Sequence, residues 1–257
     1  MTMQEYFIAF STIIHKEINR FTRIWAQTLL PPAITMTLYF VIFGNLIGSR
    51  IGEMGGFTYM QFIVPGLIMM SVITNSYSNV VSSFYGAKFQ RSIEELLVSP
   101  TPNWVILSGF VLGGVARGLT VGAIVTCLSL FFTDLHLHNV WITVLVVLMT
   151  SILFALGGFI NAMFARSFDD ISIVPTFILT PLTYLGGVFY SISLLPEFWQ
   201  NVSMLNPILY MVNTFRYGIL GVSDIDVVYA LLTVMGFIVA MFSLALWLLN
   251  NGKGIRS

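Results

Sequence analysis

Six long apolar runs divide the chain, and its charged residues lie in small clusters between them. The runs are 25–47, 59–85, 104–132, 140–165, 171–190 and 227–249. A helix rises 1.5 Å per residue and needs about 20 residues to cross a hydrocarbon core of roughly 30 Å. Each run is therefore long enough to cross. The pattern predicts an all-α polytopic membrane protein with six transmembrane helices.

The composition favours the same class. Hydrophobic residues make up 57% of the 257 residues and charged residues 9%, whereas about a quarter of a soluble globular domain is charged. A soluble core of this length could not keep so much apolar surface from water, so the lipid bilayer is the expected surrounding. The formal net charge is zero and no basic run exceeds two residues, which argues against a nucleic-acid partner.

The positions of lysine and arginine predict the orientation, because positive charge is retained on the cytoplasmic side of a membrane. Six spans place both termini on one side. Eight of the eleven basic residues fall on that side: Lys16, Arg20, Arg23, Lys88, Arg91, Arg166, Lys253 and Arg256. We therefore expect both termini in the cytoplasm.

Residues 1–24 predict an amphipathic helix that lies in the membrane interface. Apolar side chains recur there at three- and four-residue spacing. They are Phe7, Phe10, Ile14, Ile18 and Phe21. The alternative is that this segment starts one long first helix. The remaining residues, 25–257, are predicted to form the six-helix transmembrane domain.

The cytoplasmic connection after the second run predicts a short amphipathic helix over residues 88–98. Its apolar face carries Phe89, Ile93, Leu96 and Leu97. Its other faces carry Lys88, Arg91, Glu94 and Glu95. Arg91 and Glu95 have the i,i+4 spacing of a helical ion pair. Such a helix can dock on a soluble partner; the alternative is a solvated connector that rests on headgroups.

The stretch 191–226, on the opposite side, is too long for a turn and too apolar for a solvated loop. Its part 202–222 carries one charged residue, Arg216, and is interrupted at Asn206 and Pro207. An even number of spans also requires that this stretch does not cross. We therefore expect a re-entrant outer segment before the last helix, with its backbone satisfied by protein or by a wet cavity.

Single residues inside the runs raise further hypotheses. Arg117 is a charge well inside a run, which makes it a candidate pathway residue because a charge in lipid is costly; a structural role, with the side chain reaching the inner headgroups, is the alternative. The stripe Gly114, Gly118 and Gly122 predicts close helix packing. Cys127 is the single cysteine, and a packed core thiol is expected.

A short repeat links the second and fifth runs. Residues 63–65 read Ile-Val-Pro, and residues 173–175 read the same. Because the two runs cross in opposite directions, the repeat is consistent with inverted three-span halves, which would place Pro65 and Pro175 beside a pathway. Three matching residues in apolar sequence are also expected by chance.

Several other functions are not favoured. His136 and His138 beside Asp134 supply too few ligands for a metal site, so no metal is predicted. The six runs contain no acidic residue to bind a coupling ion, and no partnered nucleophile indicates an enzyme. A Gly-x-x-x-x-Gly-Lys-Ser/Thr loop is absent from the sequence, so the chain does not bind nucleotide by that route.

The region from Leu179 to Arg216 resembles the signature of the ABC-2 type transporter permeases. The matching positions are Leu179, Leu182, Leu185, Gly186, Val188, Leu195, Pro196, Pro207, Ile208, Tyr210 and Arg216. A second match is similar to the pattern these permeases carry between their second and third spans: Arg91, Glu95, Leu96, Leu97 and Pro100. The resemblance covers essentially the whole chain. It is closest to small bacterial permeases that lack a large outer domain.

The resemblance implies a homodimeric exporter subunit in the bacterial cytoplasmic (inner) membrane. Each copy would bind a separate ATP-binding cassette ATPase subunit, so ATP and magnesium would sit on the partner, with no cofactor and no enzyme activity on this chain. The implied coupling residues are Lys88, Arg91, Glu94, Glu95, Leu96 and Leu97. Pro207, Tyr210 and Arg216 would form an outer gate. The alternative function is an ATP-independent channel or secondary carrier.

Overall fold

The computed structural model describes residues 2–252 and residue 254. Lys253 and Arg256, which contribute to the predicted orientation, lie outside these residues. The helices are α1 (Met3–Arg23), α2 (Trp25–Thr28), α3 (Leu30–Tyr39), α4 (Gly48–Ile51), α5 (Tyr59–Phe89), α6 (Ser92–Val98), α7 (Asn103–Ser129), α8 (Val140–Phe164), α9 (Asp170–Val174), α10 (Thr180–Leu185), α11 (Glu197–Ser203), α12 (Pro207–Leu220) and α13 (Val227–Asn250). The segments Phe40–Ile47 and Pro175–Leu179 are π-helical, and Ile192–Leu194 is a 3₁₀ turn.

Five helical segments among the described residues are long and apolar enough to cross a membrane. They are Trp25–Gly44, α5, α7, α8 and α13. The fifth predicted run is different, because its helical part, Asp170–Leu185, has 16 residues. At 1.5 Å per residue it reaches about 24 Å, less than a hydrocarbon core of roughly 30 Å. The chain is thus a mostly helical polytopic membrane protein with five candidate spans and one shorter apolar helix.

A small hairpin, which the all-α prediction lacks, connects the first and second candidate spans. Strand β1 (Glu53–Met54) pairs antiparallel with β2 (Phe57–Thr58). Gly55 and Gly56 form the turn with φ of 61° and 83°, which glycine adopts without a Cβ clash. Thr58 then starts α5, because its hydroxyl accepts from the Gln61 amide while the Gln61 side chain accepts from the Thr58 amide.

Helix α5 is the centre of the bundle. Of its most apolar stretch, 83% is buried within the protein, against 17% for Trp25–Gly44 and 11% for α13. It packs against α7 on one side and α8 on the other, and α12 contacts it as well. The first and last candidate spans therefore lie at the periphery, where their apolar surface is left for lipid or for other protein.

Glycines allow the third candidate span to approach its neighbours closely. A Cβ at Gly114 would lie 2.9 Å from the Ser76 carbonyl oxygen, and one at Gly122 would lie 2.8 Å from Val72 Cγ2. At Gly118 it would overlap the hydroxyl of Ser76. The close packing predicted for this stripe is confirmed, with α5 as the neighbour.

Helix α1 packs one face against α7. A Cβ at Gly109 would lie 2.6 Å from Ile13 Cγ2. A Cβ at Gly113 would overlap the side chain of Glu17. Between α1 and α2, Ile24 leaves the helical conformation with φ −110° and ψ 37°, so α1 does not continue as one helix into the first span. Its position in the membrane interface stays a prediction.

The prediction of a buried thiol at Cys127 is wrong, because this side chain is exposed. Cys127 is exposed on the same side as Ala123 in α7 and Leu130, which directly follows α7; these residues have the four- and three-residue spacing of one helix side. In a helix that is apolar all round, the pattern does not separate a lipid-facing side from a protein-facing one.

Candidate functional site

Lys88 ties the end of α5 to the end of α8. Its Nζ donates to the carbonyl oxygens of Met163 at 2.7 Å, Ala165 at 3.0 Å and Gly254 at 2.7 Å. The last carbonyls of a helix lack helical partners, and a cation near them is favourable. The ammonium group is therefore engaged within the protein, so Lys88 anchors the predicted coupling region and does not present its charge to a partner.

The predicted helix over 88–98 is two elements. Helix α5 continues to Phe89, and α6 begins at Ser92. Between them Arg91 has φ 59°, a left-handed conformation that is uncommon and costly for a residue with a side chain. The turn changes the register of the helix. Arg91 and Glu95, both described, form no ion pair in spite of their i,i+4 spacing, because Arg91 precedes α6.

Helix α6 has one buried and one exposed side. Ile93 is 2% exposed and holds α6 on the core, and Leu96 and Leu97 pack partly against it. The side turned away from the core is exposed and carries an acidic pair with apolar residues beside it. This α6 surface comprises Phe89, Arg91, Glu94, Glu95 and Val98. A cavity of about 340 Å³ separates α6 from α1 and α7.

The loop after α8 lies beside the end of α5. The ring of Phe168 contacts the rings of Tyr85 and Phe89, with centroids 4.9 Å and 5.1 Å apart. The Asp170 carboxylate accepts from the amides of Arg166 at 2.8 Å and Ser167 at 3.1 Å. This loop therefore adds a fixed negative charge next to the α6 surface.

Arg216 lies at the other end of the bundle, where α5 begins. It is 1% exposed. Its Nη2 donates to the Gly187 carbonyl at 2.6 Å, its Nε donates to the Phe62 carbonyl at 3.4 Å, and its guanidinium lies 3.9 Å from the centroid of the Phe62 ring. Arg216 thus joins α12 to the first turn of α5 and to the turn after α10.

The predicted break at residues 206 and 207 is confirmed. Helix α11 ends at Ser203 and α12 begins at Pro207, where a missing amide disturbs a helix least. The Asn206 side chain accepts from the Ile208 amide at 3.0 Å, and the Tyr210 hydroxyl donates to the Met204 carbonyl at 2.6 Å. Most of α12 is buried, so the segment folds back on the bundle. Its entry into the outer leaflet stays a prediction.

The three candidate pathway residues do not meet. Arg117 Nη2 donates to the Asn75 side chain at 3.1 Å and to the Thr28 carbonyl at 3.3 Å. Pro65 is buried in α5, ten residues and about 15 Å along the helix from Asn75. Pro175 begins the π-helical segment after α9 and is half-buried. The contacts of Arg117 support a structural role for that residue through protein partners, and its reach to the inner headgroups stays a prediction.

A buried polar cluster between α1 and α5 was missed by the sequence analysis. Glu17 is fully buried, and its Oε1 accepts from the Ser83 hydroxyl at 2.6 Å. Arg20 Nε lies 3.5 Å from the other Glu17 oxygen, and Arg20 Nη2 donates to the Asn79 side chain at 2.9 Å. The available signal was the four-residue spacing of Asn75, Asn79 and Ser83 in an apolar run.

Possible metal ligands are scattered. Within the described residues no group of three or more His, Cys, Asp or Glu side chains is placed to hold a metal ion. The His138 ring instead stacks edge-on against Tyr217, with centroids 5.3 Å apart, and its backbone amide donates to the Ile219 carbonyl. His138 thus helps to join the start of α8 to α12.

Comparisons with known proteins show the family of the chain. The sequence profile of the ABC-2 type transporter family matches residues 8–220. The inner membrane transport permease YadH of Escherichia coli (strain K12) is 61% identical over 255 residues, covering 99% of this chain and 100% of that protein. Nodulation protein J of Rhizobium leguminosarum bv. trifolii is 25% identical, covering 83% of this chain and 82% of that protein. The chain therefore belongs to the ABC-2 type transporter family and is the membrane subunit of a transporter.

Proposed function

We propose that this chain is the permease subunit of an ATP-binding cassette exporter and that it binds a separate ATPase subunit through the α6 surface. ATP and magnesium would bind to that partner. The observation that carries the proposal is the position of α6, an exposed amphipathic helix that directly follows the most buried helix of the bundle. A partner that moves α6 acts on the core of the protein.

Helix α5 offers a mechanical link between the two candidate sites. Its 31 residues span about 46 Å at 1.5 Å per residue. Lys88 and Ile93 hold α6 to the core at one end, and Phe62 contacts Arg216 of α12 at the other. Closure of the partner ATPases would displace α6, and α5 would carry the displacement to α12. In this mechanism Pro207, Tyr210 and Arg216 belong to the moving outer gate.

We further propose six spans, with Asp170–Leu185 and the turns after it completing the fifth, and both termini in the cytoplasm. The excess of lysine and arginine on the α6 side supports this orientation. The name of the Escherichia coli relative supports placement in the bacterial inner membrane. The α6 surface would then face the cytoplasm, where an ATPase is available.

The proposed assembly is a homodimer whose copies share a pathway. Exposed apolar side chains on the peripheral segments leave surface for a second copy as well as for lipid. Examples are Leu38 on the first span, 56% exposed, and Phe177 in the fifth, 73% exposed. Pro65 is buried in the second span. In the conformation described, a pathway would therefore be lined by residues of other segments.

Reversing the acidic pair of the α6 surface is expected to weaken ATPase binding. The double variant Glu94→Lys, Glu95→Lys changes two exposed charges on a helix that Ile93 still anchors, so the fold should persist. We expect retention of the ATPase during affinity purification to fall about tenfold. A partner surface that is complementary to two acids would face like charges in the variant, which is costly. Glu53→Lys, an exposed acid at the other end, is the control.

An unchanged yield of partner and unchanged coupled ATPase activity in this double variant would make the docking assignment wrong. A wild-type chain that purifies folded and without any ATPase would instead favour the ATP-independent channel or secondary carrier.

Removal of the Tyr210 hydroxyl should loosen the gate while leaving the fold intact. Tyr210→Phe loses one hydrogen bond to the Met204 carbonyl, so we expect the free energy of unfolding in mild detergent to fall by about 1 kcal/mol. Tyr217→Phe is a matched control on α12, because its hydroxyl has no hydrogen bond within the described residues. Equal stability of the two variants would contradict the link between α11 and α12.

A further inference from the structure

A cavity with two charged residues in its lining opens at the end of the bundle where α5 begins. Its volume is about 280 Å³, or roughly nine waters at about 30 Å³ each, which is more than a single ion needs. The hairpin, α5, the 3₁₀ turn, α12 and the connection to α13 all contribute to its lining. Among the lining residues are Gly55, Phe62, Ser191, Ser193, Arg216 and Asp224.

Arg216 lines this cavity and has an unmet hydrogen-bonding group. Its Nη2 and Nε are used by Gly187 and Phe62, but Nη1 is buried and has no partner within the described residues. A buried donor that is left unpaired costs about 1–3 kcal/mol, and a charged one costs more. The guanidinium therefore offers a cationic donor to an acceptor that enters the cavity.

Asp224 brings the opposite charge to the same cavity. The Ser191 hydroxyl lies 2.9 Å from both of its carboxylate oxygens, and the Ile192 amide donates to one of them at 3.2 Å. The Asp224 amide donates to the Asn213 side chain at 3.1 Å, which fixes the backbone as well. No ion pair joins Asp224 to Arg216, both of which the structure describes. The cavity thus presents two charged groups of opposite sign that form no direct ion pair.

We propose that this cavity binds a phosphoethanolamine headgroup, with the phosphate at Arg216 and the ammonium at Asp224. Guanidinium groups form strong charge-assisted hydrogen bonds with phosphate, and a carboxylate with free lone pairs accepts from an ammonium. An anion alone would face Asp224, and a cation alone would face Arg216. A zwitterion carries a group of opposite charge for each of the two residues.

The position of the cavity favours a lipid as the source of this headgroup. It lies at the ends of the candidate spans, and headgroups flank the hydrocarbon core at that level of a bilayer. The bound lipid would sit against Arg216, which joins α12 to α5. The site does not depend on the proposed pairing with an ATPase, so failure of one leaves the other standing.

The test is native mass spectrometry of the full chain released from nanodiscs that contain equal amounts of phosphatidylethanolamine, phosphatidylglycerol and phosphatidylcholine. We expect phosphatidylethanolamine to be retained about tenfold over the other two, the scale of a lost charge-assisted contact. Phosphatidylglycerol lacks the ammonium, and the choline headgroup lacks N–H donors. Equal retention of all three lipids, or of none, would overturn the proposal.

Soluble glycerophosphoethanolamine identifies what is recognised. Displacement of the lipid by this compound is the expected result, because the headgroup makes the contacts. If it fails to compete at any concentration, acyl chains rather than the headgroup hold the lipid, and the proposal is wrong.

Variants locate the site. Asp224→Asn is expected to abolish the preference for phosphatidylethanolamine over phosphatidylglycerol, whereas Asp134→Asn, an exposed acid outside the cavity, should preserve it. Because Asp224 also holds Ser191 and Ile192, Ser193→Phe provides a second variant at an exposed position that narrows the cavity without removing a charge. Ser193→Phe should lower the retention of phosphatidylethanolamine about tenfold. Wild-type retention in both variants would place the lipid elsewhere and overturn the assignment.

Discussion

Leucine at Gly114 is expected to separate α7 from its neighbours and to lower the free energy of unfolding by about 3 kcal/mol, the upper part of the usual range for overpacking. A Cβ at this position would lie 2.5 Å from Val80 Cγ2, 2.9 Å from the Ser76 carbonyl oxygen and 3.0 Å from Ala155 Cβ. Because the Cβ meets α5 and α8 at once, α7 has to move away from both helices to make room for leucine. The carbonyl is backbone, so rotation of a side chain does not relieve the clash.

The matched control is Gly236→Leu in α13. A Cβ there meets nothing within 4 Å. Leucine also has a better helix propensity than glycine, by about 0.8 kcal/mol. Unfolding of both variants in mild detergent, followed by loss of helical circular dichroism, measures the difference. If Gly114→Leu unfolds like wild type, the three helices are farther apart than the structure places them.

Helix positions could be predicted where the apolar run and the end signals agree. The run 140–165 corresponds to α8, Val140–Phe164, because Asn139 caps its start by accepting from the Ile142 amide at 3.1 Å. The run 171–190 was less informative. Its helix ends at Leu185, where Gly186 and Gly187 turn the chain and Gly187 has φ 70°. Apolar residues continue past this turn, so hydropathy alone does not mark the helix end.

The roles of the charged side chains could be predicted less well, because their partners lie far away in the sequence. Lys88 binds the carbonyl of Gly254, 166 residues later, and Arg216 binds that of Phe62, 154 residues earlier. The helical pattern placed Lys88 on a docking helix, and the family resemblance implied a gate at Arg216. In the folded protein both side chains donate to main-chain carbonyls. Buried carbonyls are costly when they are left unpaired.

Glu17 shows the same limit for an acidic residue. It lies outside the six apolar runs, so hydropathy does not predict its burial in the core. The absence of a side chain at Gly113 and the polar groups of α5 make its burial possible. An acid inside this protein can therefore come from the N-terminal helix even though the predicted spans contain none.

Glu17→Ala is expected to lower the free energy of unfolding by about 2 kcal/mol and to release α1 from α5. Breaking a buried ion pair costs about 3–5 kcal/mol. The loss expected here is smaller than that range because the Arg20 side chain is 29% exposed and partly solvated. Alanine also leaves the Ser83 hydroxyl without its acceptor and leaves empty space over Gly113. Faster hydrogen exchange of the α1 amides in detergent would report the release directly.

Two further variants separate the charge of Glu17 from its shape. Glu17→Gln fills the same space and can still accept from Ser83, so about half of the stability loss should remain if the charge facing Arg20 matters. Asn19→Ala alters an exposed position of α1 and should stay within about 0.5 kcal/mol of wild type. If Glu17→Ala matches Asn19→Ala in stability and exchange, the carboxylate does not hold α1 against α5, and packing of α1 on α7, as of Ile13 on Gly109, keeps α1 in place.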